Sequence, residues 1–329
     1  MPANLTPEYL EAEERFREAE DRQKKIDALQ EMLSRLPKHK GTEKIEADIR
    51  RRLSNLKNQS KKKTGPTKAK TPDQIEPEGA GQVVIAGLPN TGKSALVDAL
   101  TNATPKVADF PLSTYGPTVG MMRYEDIQIQ LVDLPPLSEE HVETWVFNLI
   151  RKADLVVLLI DSGSEDPKEE LAKTMGLLEE EAIYLFPPDA DFQANSVGRT
   201  NNKGLLVAAK NDGENREKKI ALLKEETDLP VTPFSMLDED YMDQFRREVY
   251  QSLGLIRIYT KKPGKEPDLD EPYLLDRGST VMDAARSIHK DLAQDLDYVR
   301  IWGSGRFDGQ QVAQDHVLEE GDVIEIHRK

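Results

Sequence analysis

Residues 83–94 read Val83-Val84-Ile85-Ala86-Gly87-Leu88-Pro89-Asn90-Thr91-Gly92-Lys93-Ser94, and this stretch decides the fold. Four apolar residues without alternation predict a strand buried on both faces. The eight that follow fit G-x-x-x-x-G-K-[ST] without exception, and a helix over Ala95–Asn102 comes next. Strand before and helix after is the context that separates this motif from an accidental glycine turn. The glycines let the backbone curl so that successive N–H groups face one point, and the helix N-terminus adds a favourable dipole for an anion. Lys93 supplies a point charge to β/γ-phosphates, and Ser94 offers a hydroxyl to Mg²⁺. Gly87, Leu88, Pro89, Asn90, Thr91, Gly92, Lys93, Ser94 and Ala95 are therefore the candidate phosphate-binding residues.

Downstream, Ile127–Val132, Leu155–Ile160, 205–209 and 231–234 read as strands. Helical stretches at 139–152, 167–182 and 214–226 lie among them. Such alternation predicts an α/β domain over 81–254, a mostly parallel sheet with helices on both faces. After Gly254 short strands at 255–260, 298–302 and 323–327 surround one helix near 280–292, a separate α+β module over 255–329. Upstream, residues 6–36 read as one long helix, capped by Thr6 and carrying Ile26, Leu29, Leu33 and Leu36 on one stripe. Pro37 stops it, and a second helix from Thr42 carries Ile45, Ile49, Leu53 and Leu56. Two stripes across a short turn predict a helical hairpin over 1–58. Residues 59–80 have Ile75 as their one bulky apolar residue and read as a basic linker.

Composition bounds the chemistry. The chain has 329 residues, no cysteine, and five scattered histidines without metal-ligand spacing, which excludes disulfides, thiolate metal sites and a cysteine nucleophile. No apolar run is long enough to span a membrane and no signal peptide is evident, so a soluble, cytoplasmic protein is expected. The net charge is −15, but residues 35–70 hold 13 basic and 3 acidic side chains, so the remainder carries −25. A basic segment attached to an acidic body points to contact with a polyanion through that segment.

The strand 127–132 ends in Asp133, where a phosphate-binding-loop enzyme keeps the acidic residue that holds Mg²⁺. Between loop and strand lies the proline-rich stretch ADFPLSTYGP (108–117), where a hydroxyl could reach Mg²⁺ and the γ-phosphate. With these pieces in place the sequence resembles an Obg-type GTPase of the developmentally regulated GTP-binding protein group. ADFPLSTYGPTVGMM is similar to that family's first switch, which implies Thr114 as a Mg²⁺ ligand. VDLPP resembles the second switch beginning at Asp133, LVAAKND the guanine motif, and Pro233-Phe234-Ser235 the last nucleotide loop. The basic stretch RLPKHKGTEKIEADIRRRLSNLK is similar to the family's N-terminal helices. The tail from Ile256 looks like a TGS domain, which implies a β-grasp, ubiquitin-like fold. The resemblance thus implies a P-loop GTPase domain between a helical hairpin and a TGS domain. GTP or GDP and Mg²⁺ are the implied ligands, and Lys210, Asp212 and Ser235 the implied base-side residues.

Two positions depart from the family. The guanine motif reads Ala209-Lys210-Asn211-Asp212, so the usual asparagine is replaced at a cost on the order of 1 kcal/mol for its hydrogen bond. The second switch has Pro136 in place of glycine, with no N–H to give a γ-phosphate. The 76 residues from Asp133 to Ala209 leave no room for the extra domain inserted in that group. Three readings follow: a slow GTPase working in translation or on ribosomes, a nucleotide-binding interaction module without useful turnover, and an ATPase. Asp212 separates the first from the last. No residue reads as a catalytic base, and His141 is expected on an exposed helix. Asn90, three residues before the lysine, resembles the asparagine of potassium-activated relatives, which implies a K⁺ site; it also suits an ordinary turn. Tyr259, Trp302 and Phe307 are read as core or protein-partner contacts, because their module has 11 basic and 15 acidic residues. The expected partners are structured RNA or the ribosome through 35–70, and a protein through the TGS domain.

Overall fold

A computed structural model of the chain describes residues 8, 9, 12, 15, 16, 22–36, 49, 72–101, 106, 107, 116–190, 199–212 and 216–328. They fall into two compact units, 1–70 and 71–329.

In the first unit helix α1 spans Arg22–Arg35. Tyr9, Ala12, Leu29, Met32, Leu36 and Ile49 are buried together. Arg15 Nη1 lies 2.9 Å from Glu31 Oε2. Sixteen residues along one α-helix would rise about 24 Å, so residues 8–16 and 22–35 are not one straight helix. The single straight helix expected over 6–36 is corrected accordingly: Tyr9 and Ala12 pack with Leu29, Met32 and Leu36, and Ile49, from the second expected helix, joins the same cluster. Thr6, Pro37, most of the second expected helix and the linker up to residue 71 lie outside the described residues.

The second unit opens with the strand around which everything else is arranged. β1 (Gln82–Ala86) is buried along its whole length. It is followed by α2 (Lys93–Leu100), β2 (Lys106–Val107), β3 (Thr118–Tyr124) and β4 (Ile127–Asp133). Next come α3 (Thr144–Lys152), β5 (Leu155–Asp161), α4 (Pro167–Glu180), β6 (Ile183–Phe186) and β7 (Thr200–Ala209). Then follow α5 (Arg216–Glu226), β8 (Val231–Pro233) and α6 (Glu239–Leu253). The sheet order is β2-β3-β4-β1-β5-β7-β6, with β8 paired to β7. β1 runs parallel to both β4 and β5, while β3 pairs with β4 antiparallel. The sheet is mostly parallel, as expected.

Alternation along β1 explains the layers. Val84 and Ala86 face a cluster with Trp145, Leu149 and Ile150 of α3 and Leu171 of α4. Val83 and Ile85 face the opposite cluster, with Leu96 and Val97 of α2 and Phe245 and Val249 of α6. Helix α6 has no counterpart in the sequence reading. Its signals are present: Asp238 caps it by accepting from the Asp240 N–H, and Gly254 ends it at φ 73°. The helix expected from 139 begins at Thr144, after Glu143 in an extended conformation at its N-cap, so His141 lies before the helix rather than on it. The Leu134 and Leu137 N–H groups donate to Ile85 O and Gly87 O, and both leucines are buried.

The C-terminal module contains β9 (Leu255–Lys261), β10 (Pro267–Asp276), α7 (Val281–Ile288), α8 (Lys290–Gln294), β11 (Leu296–Trp302), β12 (Gln310–Val312) and β13 (Asp322–Arg328). Its sheet order is β10-β9-β13-β11-β12. β9 and β13 are parallel. α7 starts on a capping box of Thr280 and Asp283, and its Val281, Ala284 and Ala285 close the core over Ile258, Ile301 and Ile324.

A dense polar seam joins this module to the α/β domain. The Arg257 guanidinium pairs with Glu125 and Asp126 of the β3–β4 turn and with Glu320 of its own module. Tyr259 Oη donates to Asp126 at 2.6 Å and Tyr250 Oη to Glu320 at 2.7 Å. Tyr124 stacks on Tyr250 with ring centroids 4.9 Å apart.

Candidate nucleotide site

The loop after β1, Asp133 ending β4, Asp161 ending β5 and Lys210 following β7 all lie at the C-terminal ends of parallel strands. In open α/β sheets the crevice at that edge is where ligands bind. Two adjoining recesses occupy it. One of about 530 Å³ is lined by Pro89, Asn90, Gly92, Lys93, Ser94, Ala95 and Asp133, with Pro135 and Pro136 opposite. The other, about 190 Å³, is lined by Thr91, Gly92, Lys210, Asp212, Phe234 and Ser235. The sequence-predicted residues are thus brought together, apart from Thr114, which lies outside the described residues.

The loop conformation requires its glycines. A Cβ on Gly87 would meet Leu159 O at 2.5 Å, and Gly92 adopts φ 101°. Asn90 is also left-handed at φ 64°, which asparagine tolerates better than most residues. The turn therefore has its own reason for an asparagine.

Lys93 folds back into the loop, its Nζ donating to Leu88 O at 2.7 Å and Gly87 O at 3.1 Å. Burial pulls its pKa below the usual lysine value, against the pull of Asp133 and Glu170. Ser94 Oγ donates to Asp133 Oδ2 at 2.6 Å. Asp133 Oδ1 is buried without a hydrogen-bond partner among the described residues. Burial raises the Asp133 pKa, opposed by the Ser94 hydrogen bond and by Lys93. An unpaired carboxylate oxygen beside a hydroxyl is a hard oxygen donor set, the kind Mg²⁺ takes. The residues present fit that ion.

On the base side Lys210 sits at φ 54°, and its Nζ donates to Asn90 O at 2.9 Å and Asp161 Oδ2 at 2.5 Å. One lysine thereby links the ends of β5 and β7 to the phosphate loop. Asp161 was not among the predicted residues, yet it ends an apolar strand as Asp133 does, and that signal was available. At 209 only the backbone is held. Ser162 caps Ala209 O with both its N–H and Oγ, and Asn211 N donates to Phe234 O at 3.1 Å. Leu159, Leu96 and Phe234 give the recess apolar walls, and Met236 and Leu237 project exposed at its rim.

Comparison with known proteins agrees with this geometry. Residues 82–186 match a family model described as a 50S ribosome-binding GTPase, and residues 256–328 match the TGS domain. The chain joins a GTPase domain to a C-terminal TGS domain. Relatives align along nearly its full length. Developmentally-regulated GTP-binding protein 2 of Mus musculus is 25% identical, over 93% of this chain and 99% of the relative. Developmentally-regulated G-protein 1 of Arabidopsis thaliana is 26% identical over 93% and 91%. An uncharacterized GTP-binding protein of Methanocaldococcus jannaschii is 26% identical over 92% of each. The Schizosaccharomyces pombe YchF GTPase shares the fold at TM-score 0.51 and 13% identity, over 77% of this chain and 99% of that one. The Methanocaldococcus alignment spans 365 positions, to which this chain contributes 92% of its 329 residues. Roughly 60 positions of the relative therefore have no counterpart here. No described helix is long and apolar enough to cross a membrane.

Proposed function

We propose that the chain is a Mg²⁺-dependent, guanine-selective nucleotide-binding protein and a slow GTPase, acting in translation or on ribosomes. The carrying observation is the continuity of the two recesses through Gly92, with Lys93, Ser94 and Asp133 on one side and Lys210 and Asp212 on the other. In this reading the loop N–H groups receive the β/γ-phosphates and the Lys93 ammonium exchanges its loop carbonyls for phosphate oxygens. Ser94 and Asp133 hold Mg²⁺, which when bound neutralises phosphate charge. Asp212 accepts from the N1–H and N2 amine of guanine, while the Lys210 stem covers the base. Ser235 supports the same recess, its Oγ accepting from Leu237 N–H at 3.2 Å.

A specific observation favours a second reading, nucleotide binding without useful turnover. Pro136 has no N–H to offer, and Leu134 and Leu137 anchor both sides of the Pro135-Pro136 pair in the core. Direct titration and turnover with GTP and ATP decide between the readings. Tight Mg²⁺-dependent GDP binding with negligible phosphate release supports the second. Equal affinity for GDP and ADP rejects the guanine assignment, and Asp212→Asn should move preference from guanine toward xanthine nucleotide.

The basic segment 35–70 carries the polyanion contact in this reading. Lysine and arginine contacts to RNA phosphates release counterions, so affinity should fall steeply with salt. Arg50, Arg51, Arg52 and Lys57, with Lys61, Lys62, Lys63, Lys68 and Lys70, are the residues proposed. Ribosome or structured-RNA binding across a salt series should lose affinity and salt slope when Arg50, Arg51 and Arg52 become glutamate. The same affinity and slope in both proteins would reject it. The TGS domain is proposed as a protein-contact module in the cytoplasm.

A further inference from the structure

Away from the nucleotide site, α2, β3, β4 with the turn between them, and α6 border an open cavity of about 610 Å³. Leu100, Met121 and Tyr124 supply its apolar lining. Its walls carry three arginines, 123, 246 and 247, in a body whose balance outside 35–70 is −25. We propose that this cavity binds a phosphorylated organic ligand through Arg123 and Arg247.

Charge accounting selects those two. Arg246 is committed to Glu239 at 3.1 Å and Asp243 at 2.6 Å. Of the two carboxylates lining the cavity, Asp243 shares Arg246 with Glu239, and Glu125 shares Arg257 with Asp126 and Glu320, so both have ion-pair partners other than Arg123 and Arg247. Arg123 spends only its Nε, on Glu125 O at 3.0 Å, which fixes the guanidinium and leaves both terminal nitrogens. Arg247 is exposed and has no ion pair among the described residues. Two guanidiniums with unspent donors on one cavity are the donor set that holds a phosphate, because each planar fork can give two parallel N–H bonds. The size lies within the range of small-molecule sites, well beyond a bare anion. Leu100, Met121 and Tyr124 offer apolar surface to the uncharged remainder of the ligand. Gln128 adds an amide at the wall. This assignment is independent of what the loop at 87–94 binds.

The test is calorimetric titration of the full chain carrying Lys93→Ala, which disables the other phosphate site, with adenosine 5′-monophosphate and with inorganic phosphate. The nucleotide should bind, and more tightly than inorganic phosphate. Adding Arg123→Gln and Arg247→Gln, both on exposed side chains, should weaken it by at least about tenfold, the scale of lost charge-assisted contacts. Arg247→Lys should recover part of the loss, since a point charge remains without the fork. A thermal melt checks that each variant folds. Unchanged affinity after both arginines are removed, or no binding below about 10 mM, a level weaker than any specific contact, overturns the proposal. Inorganic phosphate binding as tightly as the nucleotide overturns the organic half of it.

Discussion

The seam around Arg257 and the cleft around Lys93 are built from the same kinds of side chain in opposite states of satisfaction. At the seam the Arg257 side chain is 11% exposed and meets three carboxylates, while two tyrosine hydroxyls take up further acceptor capacity. In the cleft Asp133 keeps a buried oxygen without a partner, and Lys93 presses its ammonium against carbonyls that cannot neutralise it. Buried polar groups are almost always paired, so an unpaired carboxylate oxygen beside a hydroxyl and a lysine, in an open recess, leaves donor capacity for a ligand. A paired cluster of equal density marks structure. Density of charge alone does not separate the two; satisfaction does.

The contrast makes its largest prediction at Lys93. Lys93→Ala should weaken guanine-nucleotide binding on the order of 100-fold, the worth of a buried charge-assisted contact to phosphate. The melting temperature of the ligand-free protein should stay level or rise, because the burial cost of the ammonium disappears. A large loss of ligand-free stability would mean that Lys93 is a structural lysine after all.

The seam should behave in reverse. Arg257→Met leaves three carboxylates facing one another across the junction, of which Asp126 is the least exposed of the three. We expect about 2 kcal/mol of destabilisation by chemical denaturation, since Glu125 and Glu320 can turn to water, with nucleotide affinity nearly unchanged. Burial pushes Asp126 up, but the Tyr259 and Arg257 hydrogen bonds hold its pKa net below the usual range. Its contribution to stability is therefore present above the unfolded value of about 4 and lost as pH falls through the lower folded value. The seam should loosen only in strong acid.

Asp133 has the opposite sign. Its pKa is raised by burial, so ionising it costs the folded, ligand-free protein increasingly as pH rises. Mg²⁺ needs the ionised form. Mg²⁺-dependent nucleotide affinity should thus climb as pH rises through a value above about 4, and fall on acidification earlier than an ordinary carboxylate would dictate. Asp133→Asn should flatten that dependence while raising ligand-free stability. A pH profile unchanged by the substitution would remove Asp133 from the site.

What the sequence disclosed follows the reach of each signal. The phosphate loop was legible because its glycines, lysine and serine are contiguous and their spacing has one structural solution. The parallel core was legible because β5 is apolar throughout. Helix α6 went unseen because its charged first turn masks an apolar stripe of Met242, Phe245, Val249 and Leu253, although Asp238 and Gly254 punctuate it. The contacts of Tyr9 and Ala12 with Leu29, Met32 and Leu36 were missed because the stripe at Ile26, Leu29, Leu33 and Leu36 reads as one face of one helix and says nothing of which earlier residues meet it. The seam was invisible because Arg257 and Asp126 are far apart in sequence, and their charges are unremarkable among 105 charged residues.

The smallest expected effect tests whether the cleft's polar groups extend to a monovalent cation. Asn90 lines the phosphate recess, yet its backbone oxygen already accepts from the Lys210 ammonium, and its left-handed φ gives the turn an independent use for asparagine. A K⁺ ion beside the phosphates would act as an added positive charge where negative charge shifts during phosphoryl transfer. If Asn90 helps hold it, turnover should rise several-fold, worth about 1 kcal/mol, when K⁺ replaces Na⁺, and Asn90→Ala should abolish the difference. Asn90→Gly separates the two roles, because glycine keeps the left-handed turn while removing the side-chain amide and its carbonyl. Cation sensitivity surviving in Asn90→Gly would reduce Asn90 to a turn residue. Loss in both variants, with the melting temperature of Asn90→Gly intact, would make it a ligand.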